Sequence, residues 1–94
     1  WIHIDDIVEA SLIMAKFCVN DTVNLCTGIG TSFRTLVEII SHQIGYRPEI
    51  MADASKPKGV AYRVGDPRKM YAYAQPQISI SEGVARALSD IGMA

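Results

Sequence analysis

The chain has 94 residues, enough for one small domain that hides about 60–65% of its unfolded surface. Nine basic and ten acidic residues nearly cancel, and no stretch is strongly one-signed, which argues against a nucleic-acid groove or a polybasic membrane patch. No apolar run approaches the ~20 residues of a membrane span, and two cysteines, Cys18 and Cys26, are too few for a disulfide framework. They read as reduced thiols of a cytoplasmic protein.

Trp1-Ile2-His3-Ile4 is apolar and β-branched enough for a short strand. Asp5 and Asp6 follow as N-cap and first-turn acids of a helix reaching to about Cys18. Glu9 and Lys16 are its polar stripe, and nearly everything else on it is apolar. Such a helix expects cover on more than one side. Asn20-Asp21 marks a turn, and the triplet Asn20-Asp21-Thr22 is a glycosylation sequon that nothing else in the chain supports. Thr22 to Cys26 reads as a second strand, and Thr27 to Thr31 as a glycine-bearing loop.

Thr31 or Ser32 caps a second helix running to about Ile44, with Phe33, Leu36, Val37, Ile40 and Ile44 on one face and Gly45 at its end. Glu49 to Ala52 is a short strand candidate, and Asp53 to Tyr62, holding Pro57 and Gly59, an ordered loop. Tyr62-Arg63-Val64 extends before Asp66-Pro67, a cap followed by proline at the first helical position, and a short helix to about Tyr73. Ser79-x-x-Glu82 is a capping box opening the last helix, with Val84, Ala87, Leu88 and Ile91 inward. The expected order is β-α-β-α-β-α-α. The first residue is Trp rather than Met, already inside a strand-like run, so the chain is expected to be a piece of something longer.

Gly28-Ile29-Gly30 between a strand and a helix invites comparison with a dinucleotide fingerprint. The third glycine of that pattern is replaced by Phe33, so a turn requiring positive φ is the better reading. His3 and His42 lack partners at metal-ligand spacing. Asp5 and Asp6 could form a carboxylate pair, but helix capping accounts for both. Arg63 follows a loop carrying Lys56 and Lys58, and its planar fork suits bidentate phosphate recognition. On spacing alone, a surface pair with Asp66 or Asp53 is the better reading.

Four segments taken together carry a resemblance. Trp1 to Ala10, WIHIDDIVEA, resembles the "[FWY]-[IL]-H-V-D-D-h-h-x-A" segment of the extended short-chain dehydrogenases/reductases, the NAD-dependent epimerase/dehydratase family. Val23 to Arg34 is similar to their "h-N-h-G-x-G-x-x-[ST]-h-R" strand, loop and helix. Asp53 to Gly59 with Arg63 and Asp66 is similar to "D-x-S-K-P-D-G-x-P-x-[RK]-h-h-D", a form close to that of GDP-L-fucose synthases, and Ile78 to Gly83 to "I-S-L-E-E-G". The segments occur in the family's order along the whole chain.

The resemblance implies an α/β fold, with residues 1–94 forming the small C-terminal nucleotide-sugar-binding domain. The Rossmann domain of the same protein would lie upstream, carrying NAD or NADP, the Tyr-x-x-x-Lys pair and the surface of a homodimer. It further implies that Arg63 contacts the diphosphate of a nucleotide sugar and that Trp1 stands at a substrate-binding aromatic position. The intact protein would be an epimerase, dehydratase or reductase, and this segment alone inactive, with no catalytic or metal-binding residue of its own. The alternative is a non-catalytic sensor or scaffold relative, separable by whether Tyr-x-x-x-Lys lies upstream. Ala61-Tyr62, Lys58 and Tyr73-Ala74 depart from the family's usual residues and leave base and sugar open.

Overall fold

The computed structural model describes residues 1–59 and 61–93. Its regular elements are helix α1 (Ile4–Lys16), helix α2 (Phe33–Ile44), a 3₁₀ turn (Met70–Ala72) and helix α3 (Ile80–Asp90). The expected loop from Asp53 to Tyr62 includes Val60, which lies outside the described residues.

Local signals set the helix ends. Ser32 accepts from the N–H of Thr35, and Gly45 closes α2 in the left-handed conformation at φ 71°, a cost-free position only for glycine. Ser79 accepts from the N–H of Glu82. Glu82 turns its carboxylate to Arg86 (2.9 Å), where a reciprocal capping box would return it to the backbone. α1 departs more. Its cap is His3, whose Nδ1 accepts from the N–H of Asp5 at 3.0 Å, so the helix begins one residue before the two acids.

The expected sheet is not found: no strand occurs among the described residues. Ile4 belongs to α1, and Thr22–Cys26, Glu49–Ala52 and Tyr62–Val64 are irregular. Strand propensity reports fitness for a pleated, half-buried surface, but the ladder bonds must come from a neighbouring strand. Among the described residues, no backbone hydrogen bond supplies them to these three stretches. The α/β expectation is thus met only by its helices.

A small core draws on distant parts of the chain: Ala10 of α1, Met70 of the 3₁₀ turn, Ile78 before α3 and Leu88 within it. α2 packs on α3, and Gln43 donates to the Ser81 carbonyl across that contact at 2.9 Å. Two expected inner faces are looser than their periodicity suggests. Phe33 and Ile91 are exposed, and Ala87 is too.

The molecule measures 48 × 33 × 16 Å, a flattened shape whose thin dimension is a third of its length. A radius of gyration of 16.2 Å compares with about 12 Å for a compact chain of this length. Its accessible surface is 7494 Å², against about 5,400 Å² for a compact protein of this mass. One layer buries one side of its helices. Ile4, Val8 and Leu12, spaced one turn apart along α1, all face outward. That stripe is the uncovered half of the nearly all-apolar helix read from the sequence.

Candidate functional site

A cavity of about 380 Å³ opens where the chain start, the glycine loop and the stretch before α3 converge, lined by Trp1, Ile29, Tyr71, Gln75, Ile78 and Ser79 among others. The Trp1 ring stands edge-on to Phe33, with centroids 5.2 Å apart and planes at 83°. The Thr27 hydroxyl donates to the Trp1 carbonyl (3.3 Å) and accepts from the Ile29 N–H (3.2 Å), tying chain start to loop. The lining joins apolar faces to amide and hydroxyl groups.

The far wall of this cavity is fixed by Asp6. Its two carboxylate oxygens accept from the N–H groups of Gln77 and Ile78, each at 3.0 Å. The residue is 5% exposed. Capping therefore does not account for both acids: Asp5 stays outside near Arg86 at 3.4 Å, whereas Asp6 crosses the molecule to hold a loop more than seventy residues away. Charge-assisted bonds of this kind are roughly twice as strong as neutral ones. The sequence did hold a signal for it. Asp6 shares its helical stripe with Ala10 and Met14, so an acid stood on a face otherwise suited to burial.

Arg63 lies outside this cavity and is exposed. The two carboxylates that could have pinned it are engaged elsewhere. Asp66 takes Arg68 in a bidentate pair, with Nη2 2.6 Å from Oδ2 and Nε 3.0 Å from Oδ1, and accepts from the Arg68 N–H at 3.0 Å. The hydrogen-bonded guanidinium holds the Asp66 carboxyl below the usual aspartate range. Asp53 accepts from the Ser55 hydroxyl (2.5 Å) and N–H (3.0 Å), which lower its pKa in that order. Among the described residues, no ion pair involves Arg63.

The segment carrying Arg63 rests on the glycine loop. A Cβ added at Gly30 would stand 3.2 Å from Val64 Cγ2 and 3.5 Å from the Tyr62 ring, and one at Gly28 2.8 Å from Pro67. In a dinucleotide fingerprint, glycine lets the backbone approach a pyrophosphate. Here the space beside both glycines is filled by residues 62–67, so the loop does not fit a nicotinamide dinucleotide. Trp1 touches the loop Thr27–Thr31 through Thr27, the neighbours of Arg63 touch it at Gly30, and the two residues do not share a cavity. Among the described residues no group of three or more His, Cys, Asp or Glu side chains could hold a metal ion. No helix there is long and apolar enough to cross a membrane.

Comparison with known proteins finds similarity to proteins named as GDP-L-fucose synthases and as a UDP-glucose 4-epimerase. The chain is 36% identical over 91 residues to the Methanocaldococcus jannaschii protein named "Putative UDP-glucose 4-epimerase", covering 95% of this chain and 29% of that one. It is 31% identical over 84 residues to "Putative GDP-L-fucose synthase 2" of Oryza sativa subsp. japonica, covering 87% and 24%. To "GDP-L-fucose synthase" of Escherichia coli (strain K12) it is 26% identical over 96 residues, covering 90% and 30%. The chain therefore spans 24 to 30% of the length of these relatives. No family model and no solved structure matches it.

Proposed function

We propose that these residues are the substrate-binding portion of an NAD(P)-dependent nucleotide-sugar epimerase, dehydratase or reductase, in which Arg63 grips the diphosphate and Trp1 lines the adjoining pocket. The observation that carries the reading is the state of Arg63: an exposed arginine whose two obvious carboxylate partners are engaged elsewhere. It sits in a chain similar both to a GDP-sugar enzyme and to a UDP-sugar enzyme by name. The diphosphate is the part that two such substrates have in common.

The single-layer shape supports the same reading. Domains are built from packed layers, and this one leaves about 2,000 Å² more surface exposed than a compact protein of its mass. That is the scale of a permanent interface. A Rossmann domain of the same protein would cover the α1 stripe and bring the dinucleotide and its acid/base pair, since the loop at Gly28–Gly30 does not fit the cofactor. The nicotinamide group supplies hydride transfer when bound. The residues of this chain would bind and orient the sugar nucleotide.

A diphosphate keeps its charge while chemistry proceeds on the sugar, so its contacts lower ground state and transition state alike. Arg63→Ala in the intact enzyme is therefore expected to raise KM about tenfold to a hundredfold, matching ~1.5–3 kcal/mol for a charged hydrogen bond. kcat should change less, and Arg63→Lys should recover part of the loss. An unchanged KM would end the substrate-binding claim.

A further inference from the structure

The glycines that fail as a cofactor loop still need a use, and the contacts of the segment 62–67 supply one. Gly65 lies two residues beyond Arg63 and abuts Cys26, the residue just before the same loop. A Cβ there would stand 2.7 Å from Cys26 Sγ and 3.1 Å from Cys26 Cβ. Real Cβ atoms do not tolerate the first distance, so the backbone at Gly65 sits against the Cys26 side chain closer than any other residue could. On the near side of Arg63, Tyr62 and Val64 rest on Gly30. Arg63 is thus flanked by one close backbone approach that a side chain would not tolerate unshifted, at Gly65, and by a tight one at Gly30.

We propose that Gly65, backed by Cys26, is a positioning residue that sets where the Arg63 guanidinium stands, with Gly30 as a second register point under Val64. This rests on the reading of Arg63 as the diphosphate contact. Neither Gly65 nor Gly30 has the left-handed φ that would make alanine strained by conformation alone. The obstacle to a side chain at Gly65 is Cys26, and at Gly30 it is the Val64 methyl. Both obstacles can be removed by a second substitution. Lifting the segment moves Arg63 off the substrate, and displacement of about 1 Å can cost up to a hundredfold in an oriented contact.

The test uses steady-state kinetics and thermal melts on the intact enzyme with its sugar-nucleotide substrate. Gly65→Ala is expected to raise KM about tenfold with a smaller change in kcat. Cys26→Ala alone should change KM less than Gly65→Ala does, and in the Gly65→Ala background it should bring KM back toward the wild-type value. Gly30→Ala meets a flexible methyl at 3.2 Å, so its effect should be smaller, and Val64→Ala should relieve it. This milder pair keeps the test decisive if Gly65→Ala does not accumulate as folded protein. Arg63→Ala is measured alongside. If it raises KM while Gly65→Ala and Gly30→Ala lower only the melting temperature, or if the second substitutions rescue nothing, the positioning role is refuted and the Arg63 reading stands. If Arg63→Ala leaves KM unchanged, both fall together.

Discussion

The wall around Asp6 and the stretch from Gly45 to Arg63 are opposite kinds of structure. The first gathers Asp6, Ala10, Met70, Ile78 and Leu88 from three separate parts of the chain and buries them all. In the second every described residue is exposed, including apolar Ile50, Met51 at 82% and Tyr62 at 77%. The wall is held by this chain's own contacts. The stretch leaves its side chains exposed, and it carries the arginine read as the phosphate contact. Binding elements are commonly drawn from the less stable parts of a fold, positioned by a firmer part.

The most forcible way to break that comparison is to deprive the exposed region of cover altogether. The 94 residues on their own are expected to bind a hydrophobic dye strongly and to lose structure over a broad temperature range. A sharp cooperative melt with dispersed amide resonances would show that the layer stands by itself.

A second prediction works from the firm side. Asp6→Ala strands two backbone N–H groups in the buried wall, each losing a bond to a charged acceptor worth ~1.5–3 kcal/mol. The intact protein should lose about 3 kcal/mol or more in urea unfolding. Asp6→Asn keeps one acceptor and should lose less. Equal stability of wild type and Asp6→Ala would mean that the wall does not depend on this carboxylate.

The smallest effect concerns surface charges. Asp66, Asp21 and Asp53 are held below the ordinary aspartate value of 3.8, Asp66 by Arg68, Asp21 by Lys69 and Asp53 by Ser55. A depressed folded-state pKa adds stability that is fully present above the unfolded value and is lost as pH falls through the folded one. These pairs should therefore weaken only below about pH 3.8, and, being exposed, contribute little. Carboxyl titration by NMR should show all three low, with Asp66 rising in Arg68→Ala and the other two unmoved.

The parts of this fold legible in the sequence were the local ones. Ser32, Gly45 and Ser79 act within one turn of their own positions, so neighbours in sequence suffice to identify them. The strands were not legible, because Thr22–Cys26 has the right residues but its ladder depends on a partner strand far from it in sequence. For the same reason Asp6 was taken for a helix cap: its partners, Gln77 and Ile78, are close only in space. Spacing also paired Arg63 with Asp66 or Asp53, when Arg68 on the other side of Asp66 forms its bidentate contact and Ser55 takes Asp53. At the site, Trp1 and Arg63 came from the family motif, and the glycine contacts that relate their segments came only from the structure.

The central claim turns on the difference between two arginines five residues apart, Arg63 with no ion pair among the described residues and Arg68 locked onto Asp66. Binding of a nucleoside diphosphate sugar to the intact protein, measured by titration calorimetry for wild type, Arg63→Ala and Arg68→Ala, tests it directly. The account predicts that Arg63→Ala weakens binding about tenfold to a hundredfold, while Arg68→Ala binds as the wild type does. Equal affinity of Arg63→Ala and wild type would contradict it.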